Sequence, residues 1–567
     1  MFGWLRRRSA PNRKDVAPPS PSEDSQEHLG NAGLAWLDKL EEGRLLRQAG
    51  RHAEALAVFD EILGLSESPA EVHLEVALTY LSTMDLLAAV DSLQVAVTLD
   101  PCRGDAWSLL GSTLSRLDRE PEAIEALRTA LLYLPSDQIL EARLKLANSL
   151  HAAKRRAEAE VEVRVAIVES PAEWRLYALL GNLLVAREQE DQALLAYAEA
   201  KRLCPSPPIE LLLQLGWCFQ QSGQFRQAQQ QFEGVLESSP NHPIARWFLA
   251  QCDLVLGQWE RGWKHYGVRF AAGASAYRAL PYPVWDGSLR PQSTLLVLAD
   301  QGLGDEIMFA SCLADASQRV GHCIVECEPR LRALFERSFP QATVITSQRE
   351  TNASWLKGVA RPDFQIFAGD LPALLRPDDA SFGSGQRYLY ADPSRVDYWN
   401  DKLRGDLGEG VRVGISWRGG TPGTRSRSRS VRAEDWAPLM RVPGLKFVNL
   451  QYGDCAEDLS RFSTLFNTAI TNYPEVIADY DDTAALVCAL DVVVTVCTSI
   501  VHLTGALGRP VWILVPHSPG WRYTLGRESM PWYASSRMFR QPASLDWTEA
   551  VHQVVANLAQ VTQNVSR

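Results

Sequence analysis

The chain is poor in cysteine, with 10 in 567 residues and no framework spacing. That excludes a disulfide-stapled secreted domain and fits a reducing compartment. The tightest grouping is His322, Cys323 and Cys327, in the stretch HCIVECE. Strand alternation would send those side chains to different faces, so buried thiols are expected rather than a zinc site. Long apolar runs are also missing, and none approaches the roughly 18 to 20 residues that span a membrane. Met1–Leu5 is too short for a signal h-region, and Arg6–Arg8 follows it instead of preceding it. Together these absences point to the cytoplasm. The chain has no G-x-x-x-x-G-K-[ST] loop, H-E-x-x-H pair or G-x-S-x-G elbow, which excludes the P-loop, zincin and α/β-hydrolase chemistries. No D-x-D turn reads as a metal site. Positive charge is in deficit: 57 Lys and Arg against 68 Asp and Glu give a net charge of −11. A general nucleic-acid binder is therefore not expected, although a local basic patch could hold a phosphate.

What is present is ordinary for a soluble protein: 46% apolar and 22% charged residues, with 17 Trp. At roughly 150 residues per domain the length predicts about three or four domains. Residues 1–32 are rich in Pro, Ser and charge and read as a disordered leader. From there to residue 270 the sequence repeats itself. Ala89, Ala96 and Pro101 recur as Ala123, Ala130, Pro135, as Ala159, Ala166, Pro171 and as Ala193, Ala200, Pro205, with a softer copy at Ala228, Val235, Pro240. The leading alanines step by 34, 36, 34 and 35 residues, and extrapolation to Ala55 and Gly262 makes about seven copies. Sixteen residues before the leading alanine stand Trp107, Leu110 and Gly111, echoed by Tyr177, Leu180, Gly181 and by Leu212, Leu215, Gly216. Small residues suit close helix crossings, large ones fill the gaps, and proline ends the second helix. The pattern resembles the tetratricopeptide repeat. That resemblance implies a superhelix over 33–270 whose concave face binds a protein.

Past a linker at 271–290 the period changes. STLLVLA, HCIVECE and ATVITS alternate with helical stretches over 291–400, and a second series of apolar strands starts at VRVGISW and fills 401–567, which closes on a terminal helix. Alternating β and α elements predict two Rossmann-like halves with parallel sheets, and a ligand cleft at the carboxyl ends of their strands. Three turns could carry chemistry. In QGLGDE, Gly302 and Gly304 permit close backbone approach, while Asp305 is either a helix cap or a reacting carboxylate. In SWRGGTPGTRSRSRSVR, Arg418, Arg425, Arg427, Arg429 and Arg432 crowd beside three glycines, as a phosphate clamp or as a solvated loop. Thr498 and Ser499 open a helix that carries His502, which is either a structural histidine or part of an anion site. Residues 520–541 hold four arginines beside Trp521, Trp532 and Tyr533, so this loop must pack or bind something planar.

The stretches QGLGDEIMFA, SWRGG with RSRSV, DYDDTAALVCALDVVVTVCTSIVHLTGALGRPVW and residues 526–533 resemble the bacterial proteins that fuse tetratricopeptide repeats to a heptosyltransferase-like glycosyltransferase domain of family nine. More distantly, the layout is similar to the O-linked N-acetylglucosamine transferases and flagellin-modifying enzymes. The resemblance implies a GT-B fold, a nucleotide-sugar donor on the C-terminal half, no cofactor and no metal. It implies Asp305 as the general base. It implies donor contacts from Gly302, Gly304, Arg418, Arg429, Thr498, Ser499 and His502. The chain departs from the family pattern at Cys497, where the family has Asp, and so lacks one acceptor for ribose or sugar hydroxyls. Three functions follow as expectations: a glycosyltransferase whose repeats hold a protein acceptor, a transferase acting on a surface polysaccharide or lipid-linked sugar, or an interaction scaffold with a degenerate transferase domain.

Overall fold

The computed structural model describes residues 32–64, 69–346, 349, 354–383, 385–420 and 428–565. The expected leader lies outside them, apart from residue 32, and so do Arg425 and Arg427 of the basic loop. Two compact units emerge, residues 1–189 and 190–567.

Among the described residues fourteen helices run from Ala32 to Tyr266, nine in the first unit and five in the second, and successive helices within each unit pair as hairpins. The repeated small residues sit where the sequence predicts. Ala89, Ala123, Ala159, Ala193 and Ala228 are all fully buried. A Cβ on Gly111 would stand 2.5 Å from the Leu127 side chain, and one on Gly216 would stand 2.6 Å from the Phe232 ring. The helices of those hairpins can cross only because these positions lack a side chain. Trp107 and Tyr177, at equivalent places, donate to the carbonyls of Pro101 and Pro171 over 2.9 and 3.1 Å. Seven turns between successive helices each pass through one left-handed residue: Gly50, Met84, Asp118, Lys154, Glu188, Gly223 and Gly257, with φ between +57° and +75°. Seven copies of one turn, 34 to 36 residues apart, give the repeat a structural definition independent of its alanines.

In the second unit the last hairpins lead into two parallel sheets. The first has β1 (Arg290–Leu298), β2 (Val320–Cys327), β3 (Thr343–Thr346) and β4 (Phe364–Phe367) in the order β3-β2-β1-β4. The second has β5 (Val411–Ser416), β6 (Leu445–Asn449), β7 (Ile470–Thr471), β8 (Val492–Val496), β9 (Val511–Val515) and β10 (Ser536–Arg540) in the order β10-β9-β8-β5-β6-β7. β8 and β9 are buried along their whole length, which is why VVVTV and VWILV read as continuous apolar runs. In both sheets the first strand lies inside the sheet and the order reverses beside it. Each sheet therefore has a topological switch point, between β1 and β4 and between β5 and β8.

The stretch expected as linker runs along the edge of β4. Val284 bridges to Gln365, and the Trp285 amide donates to the Gln365 carbonyl over 2.9 Å. One hydrophobic core extends from Phe225 in the hairpins through both sheets to Met538. Trp259, Trp263 and Tyr266 line up on one face of the last helix. Trp263 meets Trp521 edge-on at 5.5 Å, Trp259 meets Phe382 at 4.7 Å, and Phe382 meets Trp532 at 4.8 Å. The aromatics of residues 520–541 thus pack inside the protein. Aromatic pairs add about 0.5–1.5 kcal/mol each beyond their area burial. At HCIVECE, Cys323 and Cys327 are buried, while His322 bonds Thr343 Oγ1 over 2.9 Å.

Candidate functional site

The turn after β1 is built by backbone geometry. Asp300 is buried, Gln301 takes φ +64°, and Gly302 caps the helix Leu303–Phe309. Asp305 closes the cap, its Oδ2 accepting the Gly302 amide over 3.3 Å. Its Oδ1 takes Nε of Arg522 over 2.5 Å and is also in contact with Nη2. The carboxylate is thus cap and ion-pair partner together. Next in sequence, burial pushes the Glu306 carboxyl up to about 7 against the pull of the Glu328 amide and Arg349.

The helix Leu303–Phe309 packs on the helix Ser499–Ala506, and Gly304 is the reason it can. A Cβ there would stand 3.0 Å from His502 Cδ2 and 3.2 Å from Ser499 Cα. At this point the cleft expected between the halves is filled by direct helix contact. His502 is buried, with Nδ1 3.1 Å from Tyr533 Oη, and burial lowers its pKa to about 3. It is therefore a neutral imidazole at physiological pH. Ser499 Oγ pairs with Tyr480 Oη, and Thr498 caps the helix through its extended backbone.

Across the switch point of the second sheet, Arg429 donates to the Cys497 carbonyl. Gly419 leaves room for that crossing, since a Cβ on it would lie 3.0 Å from the Cys497 oxygen and 3.1 Å from that of Arg429. Burial pushes the Cys497 thiol up to about 11 against the opposing pull of Arg429, Arg540 and Arg522. Arg429 is thus seated on this turn, and the Arg522–Asp305 pair adds a further cation and its carboxylate. An anionic ligand suits such a balance.

Arg418 points elsewhere. Its Nε pairs with Asp458 at 3.0 Å, its Nη2 donates to the Asp454 carbonyl over 2.6 Å, and its amide donates to Gln451 Oε1 over 2.8 Å. It lines a cavity of about 420 Å³ with Gly419, Gly420, Ser430, Gln451 and Tyr452, at the carboxyl ends of β5 and β6. The predicted residues therefore form two neighbourhoods. Gly304, Asp305, Arg429, Thr498, Ser499 and His502 gather around the Cys497 turn, and Arg418 opens the cavity beyond Gly419.

The switch point of the first sheet is filled from within the chain. Arg269 is fully buried there, with Nε 2.8 Å from Asp300 Oδ2 and Nη1 2.5 Å from Asp370 Oδ1. Arg278 caps the neighbouring strand ends through Glu326 and the Ala299 carbonyl. Sequence reasoning did not assign Arg269, Arg522, Arg540 or Tyr533 to the site. Arg522 and Arg540 were visible as arginines in an aromatic loop, but the partners that give them a role lie more than 200 and 40 residues away. Nothing local marks Arg269.

The tetratricopeptide-repeat family matches residues 40–106 and 219–262. Protein FlbA of Caulobacter vibrioides is 30% identical over 512 residues, covering 87% of this chain and 83% of that protein. Tetratricopeptide repeat protein 33 of Xenopus laevis is 26% identical over 171 residues, which are 26% of this chain and 66% of that protein. Among solved structures, Pseudomonas aeruginosa pilF aligns with 38% of this chain and 98% of its own, at 16% identity and a TM-score of 0.34. The type IV pilus biogenesis factor PilW aligns over the same shares at 15% identity and a TM-score of 0.34. The fold is thus an all-helical tetratricopeptide superhelix followed by a parallel-sheet α/β region. Among the described residues no helix is long and apolar enough to cross a membrane.

Proposed function

The chain belongs to the family of Protein FlbA, and from that premise we propose that it is a metal-independent glycosyltransferase of GT-B type. Its repeats hold a protein acceptor, and its second sheet holds a nucleotide-sugar donor. One observation carries the reading: the switch point between β5 and β8, where Gly419, Arg429 and the Cys497–Ser499 turn meet beside a cavity of about 420 Å³. Crevices at such reversals are where open parallel sheets take nucleotides. The Arg429 guanidinium supplies the positive charge that a departing diphosphate requires. Asp305 takes the proton of the acceptor hydroxyl through Oδ2, whose amide bond is the long one, while Oδ1 stays on Arg522. The acceptor oxygen bonds the sugar carbon, and the carbon–oxygen bond to the diphosphate breaks with its electron pair. All ten cysteines are free thiols, which supports a cytoplasmic setting.

A second reading, an interaction scaffold with a degenerate transferase domain, is favoured by the Asp305–Arg522 ion pair and by Arg269 filling the first switch point. One experiment separates the two. The full chain is titrated calorimetrically with uridine, guanosine and adenosine diphosphate sugars, and Arg429→Ala is titrated beside it. The variant should bind the preferred donor more weakly by about 1–3 kcal/mol, the worth of a hydrogen bond to a charged group. Absence of binding by the parent, or equal affinity in the variant, removes the transferase reading.

A further inference from the structure

We propose that Arg522 is a positioning residue for Asp305, and that a strained turn clamped on the last two helical hairpins holds it in place. The inference rests on the transferase reading. Arg522 sits in the single helical turn Trp521–Tyr523, and the next residue, Thr524, has φ +42° and ψ 175°. That region is essentially reserved for glycine, and a β-branched residue occupies it only when its surroundings force it there, at a cost of order 1–3 kcal/mol. Thr524 is fully buried, and its hydroxyl makes no hydrogen bond. Neither side-chain packing freedom nor a polar partner explains the strain.

The surroundings that impose it are on both sides of the turn. Ser518 Oγ donates to the Gln220 carbonyl over 2.6 Å, and His517 lies against the left-handed turn at Gly223. The Leu525 amide donates to the Val255 carbonyl over 2.8 Å, and Arg527 approaches the equivalent turn at Gly257. Trp521 is held edge-on by Trp263 and Tyr266 and carries the Arg522 guanidinium 4.6 Å above its ring. The loop is thus fixed at its two ends to two successive repeat turns. Between them it delivers a fork whose Nε and Nη2 share one oxygen of Asp305 and leave the other toward the acceptor. The last two hairpins are in this sense part of the site.

Three variants of the full chain test it: Arg522→Gln, Arg522→Lys and Thr524→Gly. In Arg522→Gln, turnover should fall about 10- to 100-fold, the cost of a misplaced reacting group. Its donor affinity by calorimetry should stay within about threefold, and Arg522→Lys should recover part of the rate. Thr524→Gly should melt no lower than the parent yet turn over several-fold more slowly, with faster amide exchange across residues 520–527. Turnover of Arg522→Gln within about twofold of the parent overturns the proposal, and so does donor affinity that falls in step with the rate. Full turnover in Thr524→Gly overturns the clamp. A parent that neither binds nor transfers a nucleotide sugar sinks the transferase reading instead. Positioning is then judged by exchange alone: Arg522→Gln must speed amide exchange at Gly302–Asp305 by about tenfold at unchanged melting temperature, and equal exchange refutes it.

Discussion

Replacing Arg269 by Met tests how the first sheet is held. The Arg269 side chain has 0% exposure and Asp300 has 2%. Nε holds Asp300 Oδ2 at 2.8 Å, Nη1 holds Asp370, and the guanidinium carbon lies 4.1 Å from the Phe270 ring centre. Met fills a similar length but leaves Asp300 buried with the Gly369 amide at 3.0 Å as its remaining partner on Oδ1. Removing one member of a buried pair costs about 3–5 kcal/mol, because the stranded charge keeps its desolvation penalty. Adding Asp300→Asn removes that charge and should recover about 1–3 kcal/mol. The sign with pH is fixed by burial, which already holds the Asp300 carboxyl above its ordinary range. Without Arg269 it rises further. The folded state then takes up a proton at a pH where the unfolded chain does not, so the variant regains stability as pH falls from 7 toward 5, by at most about 1.4 kcal/mol per pH unit. The parent should show a flatter profile over that window. Urea unfolding followed by tryptophan fluorescence reads the effect, since 13 of the 17 tryptophans lie in residues 190–567. A loss below about 1 kcal/mol, or a variant that weakens on acidification, refutes the reasoning.

Asp305→Asn keeps the cap but not the ion pair with Arg522, so turnover should fall about 10²- to 10⁴-fold while donor affinity by calorimetry stays near the parent's. Gly304→Ala should destabilise by about 1–3 kcal/mol in thermal unfolding, because the new methyl must displace His502 or the backbone of Ser499. His502 is buried neutral with its pKa near 3, so the stability it contributes is present above about 6.5 and is lost as pH falls toward 3. His502→Gln should flatten that acid limb in melting curves taken between pH 7 and 4.

The repeats were legible because the sequence needs them locally. Two helices that cross must place a small residue at the crossing, and a 34-residue period writes Ala89, Ala123, Ala159 and Ala193 into the chain. The parallel sheets were legible for the same kind of reason, since strands buried on both faces such as VVVTV leave no alternation to misread. The turns at Gly304 and Thr498 could also be placed, because glycine and hydroxyls after a strand have few other uses. Tertiary structure decided what those turns do. Gly304 also lets two helices meet, which its local sequence could not show because its neighbour His502 lies 198 positions along the chain. Asp305 looked like a cap or a base, and its pairing with Arg522 depends on a strained turn that repeat helices hold from outside the sheets. The division into units follows the same rule. Composition changes near residue 270, yet compactness divides at 189 and 190, because Trp259, Trp263 and Tyr266 bury their rings against Phe382, Trp521 and Trp532. Periodicity records which face of an element is buried, and it carries no information about which distant surface does the burying.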